Sequence, residues 1–154
     1  MKILLAVDGS KHALAAIEKC CELISIKDGS EIRIVSVADV TVPPGTEPFG
    51  VTSDFNVTIN NELKKLADTY AADAEETVRE KLGDGVNVES CVFRGSPKIK
   101  IVEEAESWGA DLIVIGSHGY GFFERLLLGS VSTAVLHHAP CSVLVVKMGE
   151  DSDE

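Results

Sequence analysis

Two short segments rich in glycine and serine carry the residue types that can hold a phosphate group. Residues 116–119 read Gly-Ser-His-Gly, and nine residues later residues 129–132 read Gly-Ser-Val-Ser. Glycine lets a backbone approach an anion closely and adopt positive φ angles, and the N–H groups that begin a helix attract negative charge. The spacing therefore predicts a phosphate cradle made mostly of backbone N–H groups, including that of Gly129, with the hydroxyls of Ser130 and Ser132 as further donors.

A purely structural interpretation of the same residues stays open at this point. The glycines could end a strand and form turns, and Ser130 could cap a helix. Asp8, at the end of an apolar run, has the same two readings, because a carboxylate there either meets a ligand or caps the next helix. His118 and Arg125 could contact a phosphate or face solvent. No residue is assigned a catalytic role.

These residues lie between elements that alternate along the chain. Short apolar runs predict strands, and stripes at helical spacing predict the helices between them. Strands that alternate with helices favour a parallel sheet covered on both faces, with a ligand crevice beyond the strand C-termini where the strand order reverses. The predicted strands cover residues 2–7, 31–38, 86–93, 111–115 and 142–146, and the predicted helices follow Ser10 and cover 63–82, 97–108 and 126–138. Residues 39–59, which contain three prolines, form a loop that is either functional or a tolerated insertion.

Length and composition indicate one α/β domain. The 154 residues, 45% of them hydrophobic, are enough for a single core, which we assign to residues 1–147, with an acidic, disordered tail at 148–154. No membrane-length apolar run or signal-like segment occurs, so we expect a cytoplasmic protein. The four cysteines have neither metal-ligand nor Cys-x-x-Cys spacing, which favours reduced and mostly buried thiols. The net charge of −11 argues against nucleic acid as a partner.

Three segments together resemble a known family. Gly-x2-Gly-x9-Gly-Ser is accompanied by residues 3–10 (Ile-Leu-Leu-Ala-Val-Asp-Gly-Ser), 111–119 and 138–146 (His-Ala-Pro-Cys-Ser-Val-Leu-Val-Val). In this combination the chain closely resembles the nucleotide-binding, ATP-binding branch of the universal stress protein family, and the resemblance covers nearly its whole length. One departure is Tyr120, which follows the second glycine where many family members have a basic residue.

The resemblance implies a fold and a ligand. It implies an open five-stranded parallel sheet in the order 3-2-1-4-5 with helices on both faces, the Rossmann-like fold of the adenine nucleotide alpha hydrolase type. It also implies that ATP, or ADP or AMP, crosses the strand C-termini between strands 1 and 4, with Mg²⁺ accompanying ATP near Asp8. Arg94 and Gly95 lie near this crevice with a weaker claim. The positions that match the family's nucleotide contacts are Ala6, Val7, Asp8, Val37, Ile115, Gly116, Gly119, Gly129, Ser130, Val131 and Ser132.

The function implied is that of an ATP-binding regulatory protein of the stress response, in which bound nucleotide acts as a conformational signal. Two alternatives stay open, a slow ATPase and a nucleotide-free dimerising scaffold. The chain lacks the Gly-x4-Gly-Lys-Ser/Thr sequence of a P-loop NTPase. An apolar edge strand pairs readily with another chain, so we expect a homodimer, and an unidentified protein partner besides. The strand concerned contains Val143, Leu144, Val145 and Val146.

Overall fold

A computed structural model of the chain describes residues 1–23, 29–40, 53–119 and 128–148. Five strands and four α-helices alternate within these ranges, and a short 3-10 turn at Gly83–Gly85 precedes the third strand. The strands are β1 (Lys2–Val7), β2 (Glu31–Asp39), β3 (Asn87–Gly95), β4 (Leu112–Gly116) and β5 (Ser142–Val146). The helices are α1 (Lys11–Leu23), α2 (Ser53–Leu82), α3 (Pro97–Trp108) and α4 (Ser130–His138).

All five strands form one parallel sheet in the order β3-β2-β1-β4-β5. The fold class and the strand order expected from the resemblance are confirmed. The sheet grows outward from β1 in both directions, so β2 and β4 flank it and Ala6 pairs with Val35 on one side and Ile115 on the other. The order reverses at β1 and β4, and a parallel sheet opens a crevice at this point.

The apolar run of β1 supplies two separate cores because successive side chains point to opposite faces of a strand. Ile3 and Leu5 pack in the layer formed with α1 and α2. Leu4 and Ala6 pack in the layer formed with α3 and α4. Because both faces of β1 are buried, its sequence is a continuous apolar run and does not alternate between apolar and polar residues.

Local capping explains where two helices begin. Ser10 Oγ accepts a hydrogen bond of 3.2 Å from the N–H of Ala13, which confirms the predicted cap of α1. Ser96 occupies the N-cap position of α3 and Pro97 the first turn, also as predicted, although the Ser96 hydroxyl makes no capping bond. Gly109, with φ at 72°, ends α3 in the left-handed conformation.

Three predicted boundaries are wrong. Helix α2 begins at Ser53, so the end of the predicted 39–59 loop is helical, since no proline or glycine occurs between Ser53 and Leu82 to stop the helix extending. Helix α4 begins at Ser130 rather than at Leu126, because the backbone at Gly129 is extended. Strand β3 begins at Asn87 and continues to Gly95 alongside Asp39 of β2. Residues 41–52, 120–127 and 149–154, which include Tyr120, Arg125 and most of the predicted tail, lie outside the described residues.

All four cysteines are free thiols, as expected. Only Cys20 is buried, whereas Cys21, Cys91 and Cys141 are half-buried, so the expectation that most are buried is wrong. No described helix combines the length and the hydrophobicity needed to cross a membrane.

Candidate functional site

A cleft of about 760 Å³ lies at the C-terminal ends of β1, β2 and β4. Its floor is the point of reversal in strand order, and its walls come from α2, the start of α3 and the start of α4. The structure brings all eleven sequence-predicted binding residues to this one cleft. They are Ala6, Val7, Asp8, Val37, Ile115, Gly116, Gly119, Gly129, Ser130, Val131 and Ser132.

The start of α4 forms one end of the cleft and supplies its N–H donors. The first intrahelical hydrogen bond runs from the N–H of Thr133 to the carbonyl oxygen of Gly129 over 3.0 Å. The N–H groups of residues 130–132 therefore have no acceptor within the helix, and the positive end of the helix dipole lies with them. This is an arrangement that attracts an anion.

Two of the predicted phosphate donors are instead used within the protein. The N–H of Gly129 donates a hydrogen bond of 2.7 Å to the carbonyl oxygen of Ser117. Ser132 Oγ, which is buried, lies 2.8 Å from the same oxygen and 3.0 Å from that of Gly129, so its one proton is also engaged. The available donors are the N–H groups of residues 130–132 and the exposed hydroxyl of Ser130.

Two glycines of the first segment lie so close to neighbouring residues that a side chain would not fit. A Cβ on Gly116 would lie 2.7 Å from the carbonyl carbon and oxygen of His12, so the end of β4 contacts the α1 backbone directly. A Cβ on Gly119 would collide with Oδ2 of Asp8. Gly116 therefore has a structural role at the end of β4 and also lines the cleft, while Gly119 brings the loop against a carboxylate there.

The two carboxylate oxygens of Asp8 face different surroundings. Its Oδ1 accepts a hydrogen bond of 2.9 Å from the N–H of Ser10, so the carboxylate helps to shape the turn into α1. Its Oδ2 faces the loop at Gly119 inside the cleft. Mg²⁺ in nucleotide sites is commonly held by one or two carboxylates together with phosphate oxygens, and Asp8 fits that requirement. Among the described residues no cluster of three or more His, Cys, Asp or Glu forms a site for a metal without such phosphates.

Two histidines lie beside this loop. Ser117 Oγ is 3.4 Å from Nδ1 of His12 and 3.1 Å from Nδ1 of His118, and the two ring centroids are 5.1 Å apart. Partial burial, followed by the neighbouring His118 ring, lowers the pKa of His12, and the Asp8 carboxylate opposes this effect. His12 is therefore held towards its neutral form, while His118 lines the cleft.

The opposite end of the cleft is predominantly apolar. Val37 and Ile101 form part of it, and α2 closes it with Leu63, Leu66 and Tyr70. Sequence reasoning placed these α2 residues on the buried stripe of a helix and missed their position in the site. The 49% exposure of Leu66 is unusual for a core position and agrees with a cleft wall.

Arg94 and Gly95, the two weaker candidates, do not lie in the cleft. Arg94 lies beside α2 on the exposed surface, where its Nη2 is 3.5 Å from Oδ1 of Asn61. Gly95 ends β3 with φ at 131°, a conformation that disfavours side chains, and neither residue lines the cleft.

The chain is an open, doubly wound parallel α/β protein with a cleft at its switch point, which is where sheets of this class bind small ligands. The model of the universal stress protein family matches residues 1–147. The chain belongs to the universal stress protein family.

Relatives support this membership. The chain is 34% identical to universal stress protein YxiE of Bacillus subtilis over an alignment of 149 residues. This alignment covers 95% of this chain and 98% of YxiE. The solved structure of hypothetical protein MJ0577 has a TM-score of 0.81 and 27% identity, with 97% of each chain covered. A universal stress protein of Arabidopsis thaliana, solved with AMP bound, has a TM-score of 0.69 at 23% identity, covers 99% of this chain and 97% of its own, and shares the fold.

Proposed function

We propose that the cleft binds an adenine nucleotide, ATP before ADP or AMP, and that the bound nucleotide acts as a conformational signal in a stress-response protein of the cytoplasm. The observation that carries the proposal is the convergence of the eleven predicted residues on one cleft whose two ends differ in chemistry. The α4 end offers N–H groups and a helix dipole to phosphates. The β2 and α2 end offers an apolar enclosure to a base.

The charge distribution is compatible with this ligand. The protein has a net charge of −11, so a polyanion would be repelled at long range. A single nucleotide is held by local donors instead, and Mg²⁺ at Asp8 would neutralise part of the charge on ATP. The Arabidopsis relative with AMP illustrates that this fold accommodates an adenine nucleotide.

The first experiment asks whether nucleotide binds at all. Purified protein is denatured and the released small molecules are identified by mass spectrometry, and the protein stripped of ligand is then titrated calorimetrically with ATP, ADP and AMP, with and without Mg²⁺. We expect adenine nucleotide in the released fraction or saturable binding of at least one of the three. Failure of all of them would overturn the proposal and favour a nucleotide-free scaffold.

A charge variant then tests where the phosphates lie. Ser130→Asp places a carboxylate at the first turn of α4, where the dipole stabilises it, so folding is preserved while phosphates are repelled. We expect affinity for ATP to fall about 10-fold or more, since a like charge at close range costs several kcal/mol at reduced dielectric. Asn87→Asp adds the same charge on an exposed residue at the opposite end of the sheet and is expected to leave ATP affinity unchanged. Equal affinities for the two variants would place the phosphates elsewhere.

Slow hydrolysis is the second candidate function. Among the residues that the structure describes, Asp8 is the carboxylate that lines the cleft near Gly119, and its Oδ1 is already bonded to Ser10. Since this carboxylate is engaged in the turn, we expect steady-state phosphate release far slower than the ~10 per second typical of dedicated enzymes. A rate of that order would make the protein an ATPase rather than a nucleotide-responsive regulator.

Strand β5 supports the proposal of a homodimer. It is an edge of the sheet, and its residues Val143, Leu144 and Val145 are only half-buried. An apolar edge of this kind is stabilised by a second copy of the chain. Light scattering should therefore give the mass of a dimer, and Leu144→Lys should shift it towards the monomer. A monomeric wild type at micromolar concentration would remove the idea.

A further inference from the structure

One buried hydroxyl that lines the cleft makes no hydrogen bond within the protein. Among the described residues, Ser36 Oγ is the buried side-chain oxygen that has no hydrogen-bond partner. Ser36 is 1% exposed and lies on β2, in register with Val7 of β1 and Val92 of β3, and it lines the cleft. A buried hydroxyl without a partner destabilises the folded protein, so its presence here calls for an explanation.

The position of Ser36 within the cleft identifies what it would meet. Strand β2 is separated by β1 from β4, and two strand spacings put it about 10 Å from the loop that leads to α4. The base and the phosphates of a nucleotide lie on opposite sides of its ribose. With the phosphates at the start of α4, the base therefore lies over β2, next to Ser36 and Val37.

Among the described residues, few polar side chains lie near Ser36 that could determine which ligand binds in this part of the cleft. Its side chain points to the same face of the sheet as that of Val7, the face covered by α1 and α2. Leu66, Ala67 and Tyr70 of α2 line the cleft on this side. In a largely apolar pocket, a small number of placed polar groups determines which ligand binds.

We propose that the Ser36 hydroxyl is a specificity contact for the purine base, hydrogen-bonding to a nitrogen or the amino group on its edge. This inference rests on the proposed binding of adenine nucleotide. A serine hydroxyl both donates and accepts, so it can pair with a ring nitrogen or with the 6-amino group.

The test compares ATP binding by the wild type, Ser36→Ala and Ser30→Ala in calorimetric titrations at one Mg²⁺ concentration. Ser30 is equally buried but precedes β2 at the opposite end of the sheet, so it controls for the loss of a buried hydroxyl. Ser36→Ala is expected to bind ATP about 3- to 10-fold more weakly, the effect of one neutral hydrogen bond. Ser30→Ala is expected to bind like the wild type.

Thermal unfolding without nucleotide separates a ligand contact from a structural one. Because the Ser36 hydroxyl bonds nothing in the unliganded protein, Ser36→Ala should unfold at the same temperature as the wild type or higher. Lower stability together with unchanged ATP affinity would make the hydroxyl a structural group and overturn the inference.

ATP analogues locate the contact on the ligand. The wild type and Ser36→Ala are titrated with analogues that lack the 6-amino group, N1, N3 or N7, and with 2′-deoxy and 3′-deoxy ATP. We expect the wild type and Ser36→Ala to bind one of the base analogues with equal affinity. The deoxyribose analogues should still bind the wild type more tightly than Ser36→Ala. If the wild type and Ser36→Ala bound only a deoxyribose analogue with equal affinity, Ser36 would contact the ribose, and recognition of the base would be overturned. If the wild type binds no adenine nucleotide, the proposed function itself fails, an outcome distinct from equal ATP affinity of wild type and Ser36→Ala, which removes only the role of Ser36.

Discussion

The buried hydroxyl of Ser132 lies 2.8 Å from the carbonyl oxygen of Ser117 and donates a hydrogen bond to it. Ser117 directly follows β4, and Ser132 lies in the first turn of α4. The same oxygen accepts the N–H of Gly129. One carbonyl thus fixes the start of the helix against the end of the strand, which sets the position of the free N–H groups in the cleft.

Removal of this hydroxyl should weaken both folding and binding. We expect Ser132→Ala to lower the free energy of unfolding by about 1 to 2 kcal/mol, since a buried hydrogen bond is lost. ATP affinity should fall as well, because the helix start is less well fixed. Urea denaturation and calorimetry measure the two effects. Ser130→Ala, at an exposed neighbour, should leave stability within about 0.5 kcal/mol, and an equal loss in both variants would contradict the role given to Ser132.

A methyl group on Gly116 should be poorly tolerated. In Gly116→Ala the new Cβ meets the backbone of His12, which cannot move without displacing α1. We expect the free energy of unfolding to fall by about 1 to 3 kcal/mol, the usual cost of overpacking. The matched variant Gly85→Ala adds a methyl where nothing lies within 4 Å, and its stability should be unchanged. Chemical denaturation of the pair is the measurement, and a fully stable Gly116→Ala would show that α1 adapts.

Sequence patterns specified the site better at its phosphate end than at its base end. Gly116, Gly119 and Gly129 stand out by type and spacing, and all three line the cleft. Ser36 does not stand out, because a serine inside a strand looks like any solvent-facing position until the strand is placed in the sheet. The long-range pairing of β2 with β1 and β3 is what buries it.

Which donors are already occupied could not be predicted either. The engagement of the Gly129 N–H by Ser117 depends on a contact between residues twelve positions apart, and no local pattern encodes its geometry. Arg94 was misplaced for a related reason. It is the last residue but one of β3, next to the predicted crevice, but its side chain lies beside Asn61 of α2 instead of entering the cleft.

Arg33 should contribute strongly to stability at the end of the sheet remote from the cleft. Its guanidinium pairs with Glu89 and Glu104 and lies 4.4 Å from the centroid of the Trp108 ring. The side chain of Glu104 is 14% exposed, so Arg33→Met would leave a largely buried carboxylate without its cation. We expect a loss of about 2 to 4 kcal/mol. Lys19→Met removes an exposed pair with Glu22 and should cost under about 0.5 kcal/mol in the same denaturation assay, so similar losses would argue against a special role for Arg33.

His12 should make stability depend on pH. Its pKa is lowered from the usual 6.5, first by burial and then by His118. As pH falls, the unfolded chain takes up the proton first, so stability that is present above 6.5 is lost as the pH falls from there towards the pKa of the folded state. The free energy of unfolding should therefore decrease between pH 7.5 and 5.5, and less so in His12→Gln. His137→Gln, at an exposed histidine, should follow the wild-type curve; identical slopes for all three proteins would exclude His12 as the source.

The chain has a single tryptophan, Trp108, at the last position of α3, and the cations of Lys2 and Arg33 both lie near its ring. The first residue of the same helix, Pro97, lines the cleft, and the helical rise from Pro97 to Trp108 separates the two ends by about 17 Å. Tryptophan fluorescence therefore originates far from the cleft, at a ring that packs against the core beside two cations, and these surroundings are lost when the sheet comes apart. The protein therefore carries its own optical reporter of unfolding, and that reporter does not line the cleft.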